Sequence, residues 1–416
     1  MATQTGSGTA RRAAVWLDRR TPPHVATLVL MTGLSALNMN MVLPSLPSLA
    51  KAYGAEYGVV SLTVSAYLGL TAVLQLAIGP LSDRYGRRPV MLGCFAVFLV
   101  ATLGCAFAPT IEIFLGFRMA QATVASAFAL SRAIVRDMVG TEEAASLIGY
   151  ITMGMSLSPM VAPVIGGFVD QAFGWRAVFG LTFVIGVAVT ALIWADQGET
   201  NDTPSESLTA QFRAYPELFR SSRFWGYTAT ATFASGAFFA FLGGGPLVAS
   251  EFLHMGPAEV GAHFGVIAIG YLVGNFLSGR FAAQVGLNRM MLCGGVVASA
   301  GMALALGLFG LGVQTASTFF GTIALVGVGN GLLLPSANAG IVSVRPHLAG
   351  SASGLGGALM IGGGAALSVL AGAMLSPATG AWPLLWLMFA CSVASVATTL
   401  WVMRVARLRA AQGVPR

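Results

Sequence analysis

Charge is scarce in this chain. Of 416 residues only 9% are Asp, Glu, Lys or Arg, against roughly a quarter in ordinary soluble domains. Too few ionised groups are present to give a fold of this size a polar skin, whereas hydrophobic residues make up 56%. Lys51 is the single lysine and alanine precedes it. A phosphate-binding Gly-Lys-Ser/Thr loop is therefore absent, and with it ATP hydrolysis by such a loop within this chain. The four histidines are scattered without a His-Glu-x-x-His, and the four cysteines sit inside apolar runs without metal-like spacing. Neither a metal, a cofactor nor an enzyme's catalytic cluster is expected. The formal charge of +7 is spread over short clusters between apolar runs, so it does not form the continuous basic face of a nucleic-acid binder.

Long apolar runs are what the chain has in abundance. A membrane helix needs about 20 such residues, and runs of that kind lie near 25–45, 58–80, 89–108, 111–135, 142–169 and 174–195. A polar stretch, 196–223, follows. Six more runs lie near 224–250, 258–280, 289–311, 315–340, 347–375 and 382–404. The expectation is an all-α integral membrane protein in a lipid bilayer, with twelve spans in two halves of six (1–195 and 224–416) and a linker at 196–223. Basic residues orient it. With the N-terminus inside, 18 of the 22 Lys and Arg fall on inner segments and only Lys51 and Arg176 on outer ones, Arg118 and Arg132 lying within a span. Both termini are thus expected in the cytoplasm.

One inner loop carries a specific pattern: GPLSDRYGRRP, residues 79–89. Gly79 and Gly86 permit close backbone approach and Asp83 can cap a helix or pair with an arginine, while Arg84, Arg87 and Arg88 stand at the membrane surface. This loop resembles the signature of the major facilitator superfamily. Further matches are RMAQ at Arg118–Gln121, GMSLSPMVAPVIGGFVDQAFGWR at 154–176, SRAIVRD at 131–137 and GGGPLV at 243–248. Together they resemble the bicyclomycin and chloramphenicol-resistance type of drug:proton antiporter. A weak repeat, FLSGRFAAQVGLNRMMLCG at 276–294, answers PLSDRYGRRPVMLGC at 80–94, and such repeats place a substrate site near the bilayer midplane between the halves.

The resemblance implies alternating access, with Asp83, Arg84 and Arg87 acting at a cytoplasmic gate. It also implies a fifth span whose Pro159, Pro163, Gly166 and Gly167 let it pack closely and bend. Polar residues at membrane depth usually face a cavity or a partner helix. Arg118, Gln121, Ala125, Phe128 and Arg132 recur at three- and four-residue spacing, so they are expected to form one stripe lining a central cavity. Tyr67 and Gln75 of the second span, and Phe238 with neighbouring phenylalanines of the seventh, are expected to complete it.

The first span holds two amides, Asn38 and Asn40. Two residues apart is about 200° around a helix, so one is expected in the cavity and the other against a neighbouring helix. Many members of the resembled family read Asp-Met-x-Leu-Pro where this chain reads NMVLP at 40–44, which makes Asn40 the cavity residue, in place of an acid. An amide cannot take up a proton. No acid is expected in the middle of a span, Glu112 coming closest, so coupling either moves to His263, Glu112 or Asp83 or is absent. Without an acid partner for Arg118 the cavity is expected to be net positive and to suit neutral or anionic compounds. The function expected is export of small, moderately apolar molecules, as in drug efflux, by a monomer in the inner membrane of a bacterium; an uncoupled facilitator or a metabolite transporter is the alternative. A membrane enzyme or receptor would instead place a ligand cluster on one half only.

Overall fold

The structure is a computed structural model and describes residues 14–139, 147, 151, 158–201, 215–345, 349–376 and 379–411. Among these, eleven helices are long and apolar enough to cross a membrane. They are α1 (Val25–Tyr53), α2 (Tyr57–Tyr85), α3 (Arg87–Phe107), α4 (Ile111–Val135), α6 (Trp175–Asp196), α7 (Ser222–Phe252), α9 (Leu287–Gly310) and α10 (Ala316–Ser343), with α8 (Pro257–Val285), α11 (Ala349–Met374) and α12 (Trp382–Ala411). A shorter apolar helix, α5 (Ser158–Phe173), completes the series. Most of the expected fifth span before residue 158, and residues 202–214 of the linker, lie outside the described residues. The protein is an all-helical membrane protein.

Local chemistry sets several helix ends. Thr315 and Ser221 accept hydrogen bonds from the backbone N–H three residues on, at 3.2 and 3.4 Å, as N-caps do. Two junctions turn on glycine: Gly86 (φ +96°) between α2 and α3, and Gly286 (φ +86°) between α8 and α9. A side chain rarely adopts that backbone. The two glycines hold matching places, each between the second and third helices of its half.

The halves meet through corresponding pairs of helices. α2 packs on α11, and α5 packs on α8, so the second helix of each half lies against the fifth of the other. Apolar clusters show where the molecule is sealed. Toward the face opposite the 79–89 loop, one cluster joins both halves, from Val42, Leu46 and Val64 to Phe241, Phe264 and Phe320. Toward the arginine-rich face each half keeps its own cluster, around Phe95 and Phe98 in one and around Phe224 and Tyr227 in the other. The structure is therefore closed at the face opposite the arginines.

Candidate functional site

Between the halves lies a cavity of about 300 Å³, at the small end of the range for drug-sized ligands. Its wall takes Asn40 from α1, Phe128 from α4, Phe238 and Phe239 from α7, Phe264 and Tyr271 from α8, and Asn330 from α10. Among the described residues, none in the wall carries a charge.

The amides of α1 divide as their helical phase requires. Asn40 stands in the wall, its Nδ2 donating to its own helix at Ala36 O, 2.7 Å away. Asn38 turns away and donates through Nδ2 to the Tyr67 hydroxyl of α2, at 3.2 Å.

Arg118, Gln121 and Tyr67 take a different place from the one expected. They are 1%, 0% and 2% exposed and form a polar knot inside the first half. Arg118 Nη1 donates to Gln121 Oε1 at 2.7 Å and to Asn38 Oδ1 at 3.3 Å. Its Nη2 donates to Asn38 O and its Nε to Thr63 O, both at 3.2 Å. Gln121 Nε2 donates to Thr102 Oγ1 at 2.8 Å, and the guanidinium lies 4.4 Å from the Tyr67 ring centroid. The physical reason is donor number: a guanidinium in hydrocarbon needs acceptors for its five N–H groups, and α1, α2 and Gln121 of α4 bring four oxygens to it where the cavity wall has few. Helical spacing alone does not distinguish a cavity from a seam between packed helices. The expectation of a net positive cavity is corrected accordingly, since the cation is satisfied within one half. Gln75 likewise lies outside the wall, half-buried near Gly357 of α11.

The 79–89 loop forms a network within the first half. Arg87 pairs with Asp83 and, at 2.9 Å through Nε, with Asp137 at the end of α4; its Nη1 reaches Ser82 Oγ at 2.6 Å. Glu199, just past α6, accepts from the backbone N–H groups of Arg87 and Arg88 at 2.8 and 3.1 Å. Its carboxylate thereby sits on the positive end of α3. Arg88 Nη2 donates to Trp194 O at 2.9 Å. Arg84 is exposed and lies over the Tyr85 ring instead. Glu199 and Asp137 escaped sequence reasoning because both partners come from elsewhere in the chain. The two loop glycines differ. A Cβ on Gly86 would crowd Glu199, whereas Gly79 has open space around it, so close approach is needed at Gly86 only. Gly86→Ala is expected to destabilise the folded protein by about 1–3 kcal/mol through its backbone conformation. Gly79→Ala, in a helix with room for a methyl, is expected to cost nothing. Thermal unfolding of the two purified variants side by side checks this.

In α5, a Cβ on Gly166 would overlap the Met41 carbonyl at the break in α1, and one on Gly167 would overlap the Pro257 carbonyl of α8. Reciprocally, a Cβ on Gly261 of α8 would overlap the Pro163 carbonyl of α5. Pro159 falls in α5, though its side chain lies outside the described residues. Among the acids, Glu112 is exposed in the first turn of α4. His263 is half-buried, its Nδ1 2.8 Å from Glu259 O and its ring against Phe320. Asp83 is held by Arg87. Sequence reasoning passed over two buried acids: Asp170, 5% exposed near the end of α5, accepts from Ser48 Oγ at 2.8 Å, and Asp196, 0% exposed at the end of α6, accepts from Thr27 Oγ1 at 2.6 Å. Asn330 was also overlooked, because it lies in GVGNG (327–331), a stretch whose glycines account for it as helix packing. Those glycines do pack: a Cβ on Gly327 or Gly331 would overlap a carbonyl of α8, and one on Gly329 would meet the Gly294 carbonyl of α9. Asn330 lies between these contacts and faces the cavity.

The Major Facilitator Superfamily model matches residues 28–256. The MFS-type transporter YdgK of Bacillus subtilis (strain 168) is 31% identical over 358 residues, covering 83% of this chain and 86% of that protein. A chloramphenicol resistance protein of Pseudomonas aeruginosa is 30% identical over 399 residues, covering 93% and 92%. In fold, the chain is similar to the crystal structure of a bacterial homolog of the human lysosomal transporter Spinster in an inward-facing, occupied conformation. The TM-score is 0.70 at 17% identity, covering 92% of this chain and 96% of the other.

Proposed function

The chain belongs to the Major Facilitator Superfamily of membrane transporters, and we propose that it exports small, uncharged, moderately apolar compounds across a bacterial inner membrane. The observation that carries this reading is the uncharged aromatic cavity enclosed between two halves that are joined by apolar packing at one face only. A site of that kind can hold a lipophilic molecule and release it to the other side when the joined face parts. The resistance protein among the relatives supports drugs as the cargo. The concentration of arginines on one side makes that side, with both termini, cytoplasmic. The joined face is then the external one, and Asp83 and Arg87 form the cytoplasmic gate network. The proposed unit is a monomer, with the described wall residues drawn from both halves of one chain.

Proton coupling cannot use the amide at position 40. It falls instead to Asp170, buried beside Ser48 in the region where α5 meets α1 and α8, the seam that must part for the external face to open. An uncoupled facilitator is the second reading, favoured by the lack of an acid among the described residues of the cavity wall. Uptake of labelled chloramphenicol into proteoliposomes, with and without an imposed pH gradient, separates them. The expected result is accumulation under the gradient by the unaltered protein and mere equilibration by Asp170→Asn. Equilibration by the unaltered protein, with gradient dependence appearing in Asn40→Asp, identifies a facilitator. Movement no faster than in empty liposomes overturns the export reading.

A further inference from the structure

The cavity wall is apolar almost throughout, but two primary amides enter it from opposite halves, Asn40 on α1 and Asn330 on α10. Both are 4% exposed. Asn40 uses its Nδ2 on the Ala36 carbonyl, which leaves its Oδ1 as an acceptor. Among the described residues no hydrogen-bond donor meets that oxygen, and none of them is a hydrogen-bond partner of the Asn330 amide. The contrast with Asn38 is instructive, because that amide, two residues away, is used at both ends by Tyr67 and Arg118. Buried amides are ordinarily satisfied, and leaving one without a partner is costly. Here the unmet donor and acceptors point into the space where cargo would sit.

Around them stand the rings of Phe128, Phe238, Phe239 and Phe264. Flat apolar faces and two amides, with no ionised side chain in the wall, define a ligand class. Building on the export reading above, we infer that the cavity recognises uncharged aromatic molecules carrying a neutral hydrogen-bonding group such as an amide. Asn40 Oδ1 accepts from the ligand's N–H or O–H, and the Asn330 amide pairs with its carbonyl or hydroxyl. A carboxylate gains no cation from this wall and an ammonium gains no anion, so each would be desolvated without a charged partner. Because the two amides belong to different halves, a ligand that engages both ties the halves together around itself. A hydrocarbon of the same shape fills the space but leaves both amides unmet. Sites built to hydrogen-bond a ligand reject an analogue lacking the group far more strongly than apolar pockets reject a missing methylene.

The test is equilibrium binding to the full-length protein in lipid nanodiscs, read by naphthalene fluorescence against empty nanodiscs. The probes are 2-naphthylacetamide, its shape match 2-isobutylnaphthalene, the 2-naphthylacetate anion and a naphthylethyl ammonium ion. The expected order is amide first, ahead of the hydrocarbon and both ions by roughly tenfold or more. Asn330→Leu and Asn40→Leu should each bring amide and hydrocarbon to within about threefold of one another while retaining hydrocarbon binding. That retained binding shows that the cavity is still folded. Equal affinity for amide and hydrocarbon in the unaltered protein overturns the inference, as does a preference that survives both substitutions. Preferred binding of either ion overturns it as well. Chloramphenicol transport in proteoliposomes is measured on the same preparations, so a protein that exports without reading the amide is distinguished from one that does not export.

Discussion

Arg118→Leu is expected to destabilise the protein by about 3 kcal/mol or more. The substitution removes the donor that meets Gln121 Oε1 and Asn38 Oδ1, and each buried acceptor left unmet costs roughly 1–3 kcal/mol. The stacking of the guanidinium on Tyr67 is lost too, a contact worth about 2 kcal/mol where water is excluded. Against these stands the relief of burying a cation that has no carboxylate partner among the described ion pairs. The acceptors decide the sign for the single variant, because they remain in place after the charge has gone. The triple variant Arg118→Leu, Asn38→Leu, Gln121→Leu removes acceptors and donor together. It should therefore recover at least half of the loss, since exchanging a whole buried polar group for apolar side chains is often near neutral. Arg118→Lys should fall between, because one ammonium cannot reproduce a planar fork directed at four oxygens. Thermal unfolding in detergent, followed for all three, measures this non-additivity. If Arg118→Leu unfolds like the unaltered protein yet no longer binds or transports any probe, the knot is part of the substrate path and the structural assignment fails.

The second large effect concerns the external seal. Gly167 and Gly261 each lie against a carbonyl of the opposite half, at Pro257 and Pro163. Valine at either position has no space without separating α5 from α8. Forcing side chains into a packed contact costs about 1–3 kcal/mol, which shifts an equilibrium between closed and open seals by roughly 5- to 150-fold. Gly167→Val and Gly261→Val should therefore both favour the externally open form and depress transport strongly. A cysteine introduced at Ala237, 1% exposed within the shared apolar cluster, reports the opening in a background without the native cysteines. Its labelling by a membrane-impermeant thiol reagent should rise at least fivefold in both variants. Gly265→Val is the control, on the same helix with nothing near its missing Cβ, and it should leave labelling unchanged. Unchanged labelling in all three would mean that this seam is not what closes the external face.

Much of the architecture was legible in the chain. Apolar runs of membrane length foretold the helices because hydrocarbon admits few other backbones. The GPLSDRYGRRP loop and the matching runs around Arg118 and in the fifth span carried the family resemblance. Asn38 and Asn40 were separable in advance, since a 200° rotation forces two such residues apart. The loop network was legible in part: Asp83 and Arg87 share a helix turn's spacing, but Asp137 and Glu199 reach Arg87 from 50 and 112 residues away.

By itself, then, the sequence determined the membrane class, the alternation of runs and loops, the side that carries the arginines and the presence of an amide rather than an ionisable group at position 40. These follow from composition and from helical geometry, which act locally along the chain. Tertiary structure alone decided which face of each helix meets a neighbour and which meets the cavity. Arg118 was drawn into the first half because the acceptors of α1, α2 and Gln121 converge there. Asn330 was turned into the cavity because the glycines beside it press α10 against α8 and α9. Spacing marks a polar face on a helix, but only the packing of the other helices determines whether that face is satisfied by protein or left for a ligand.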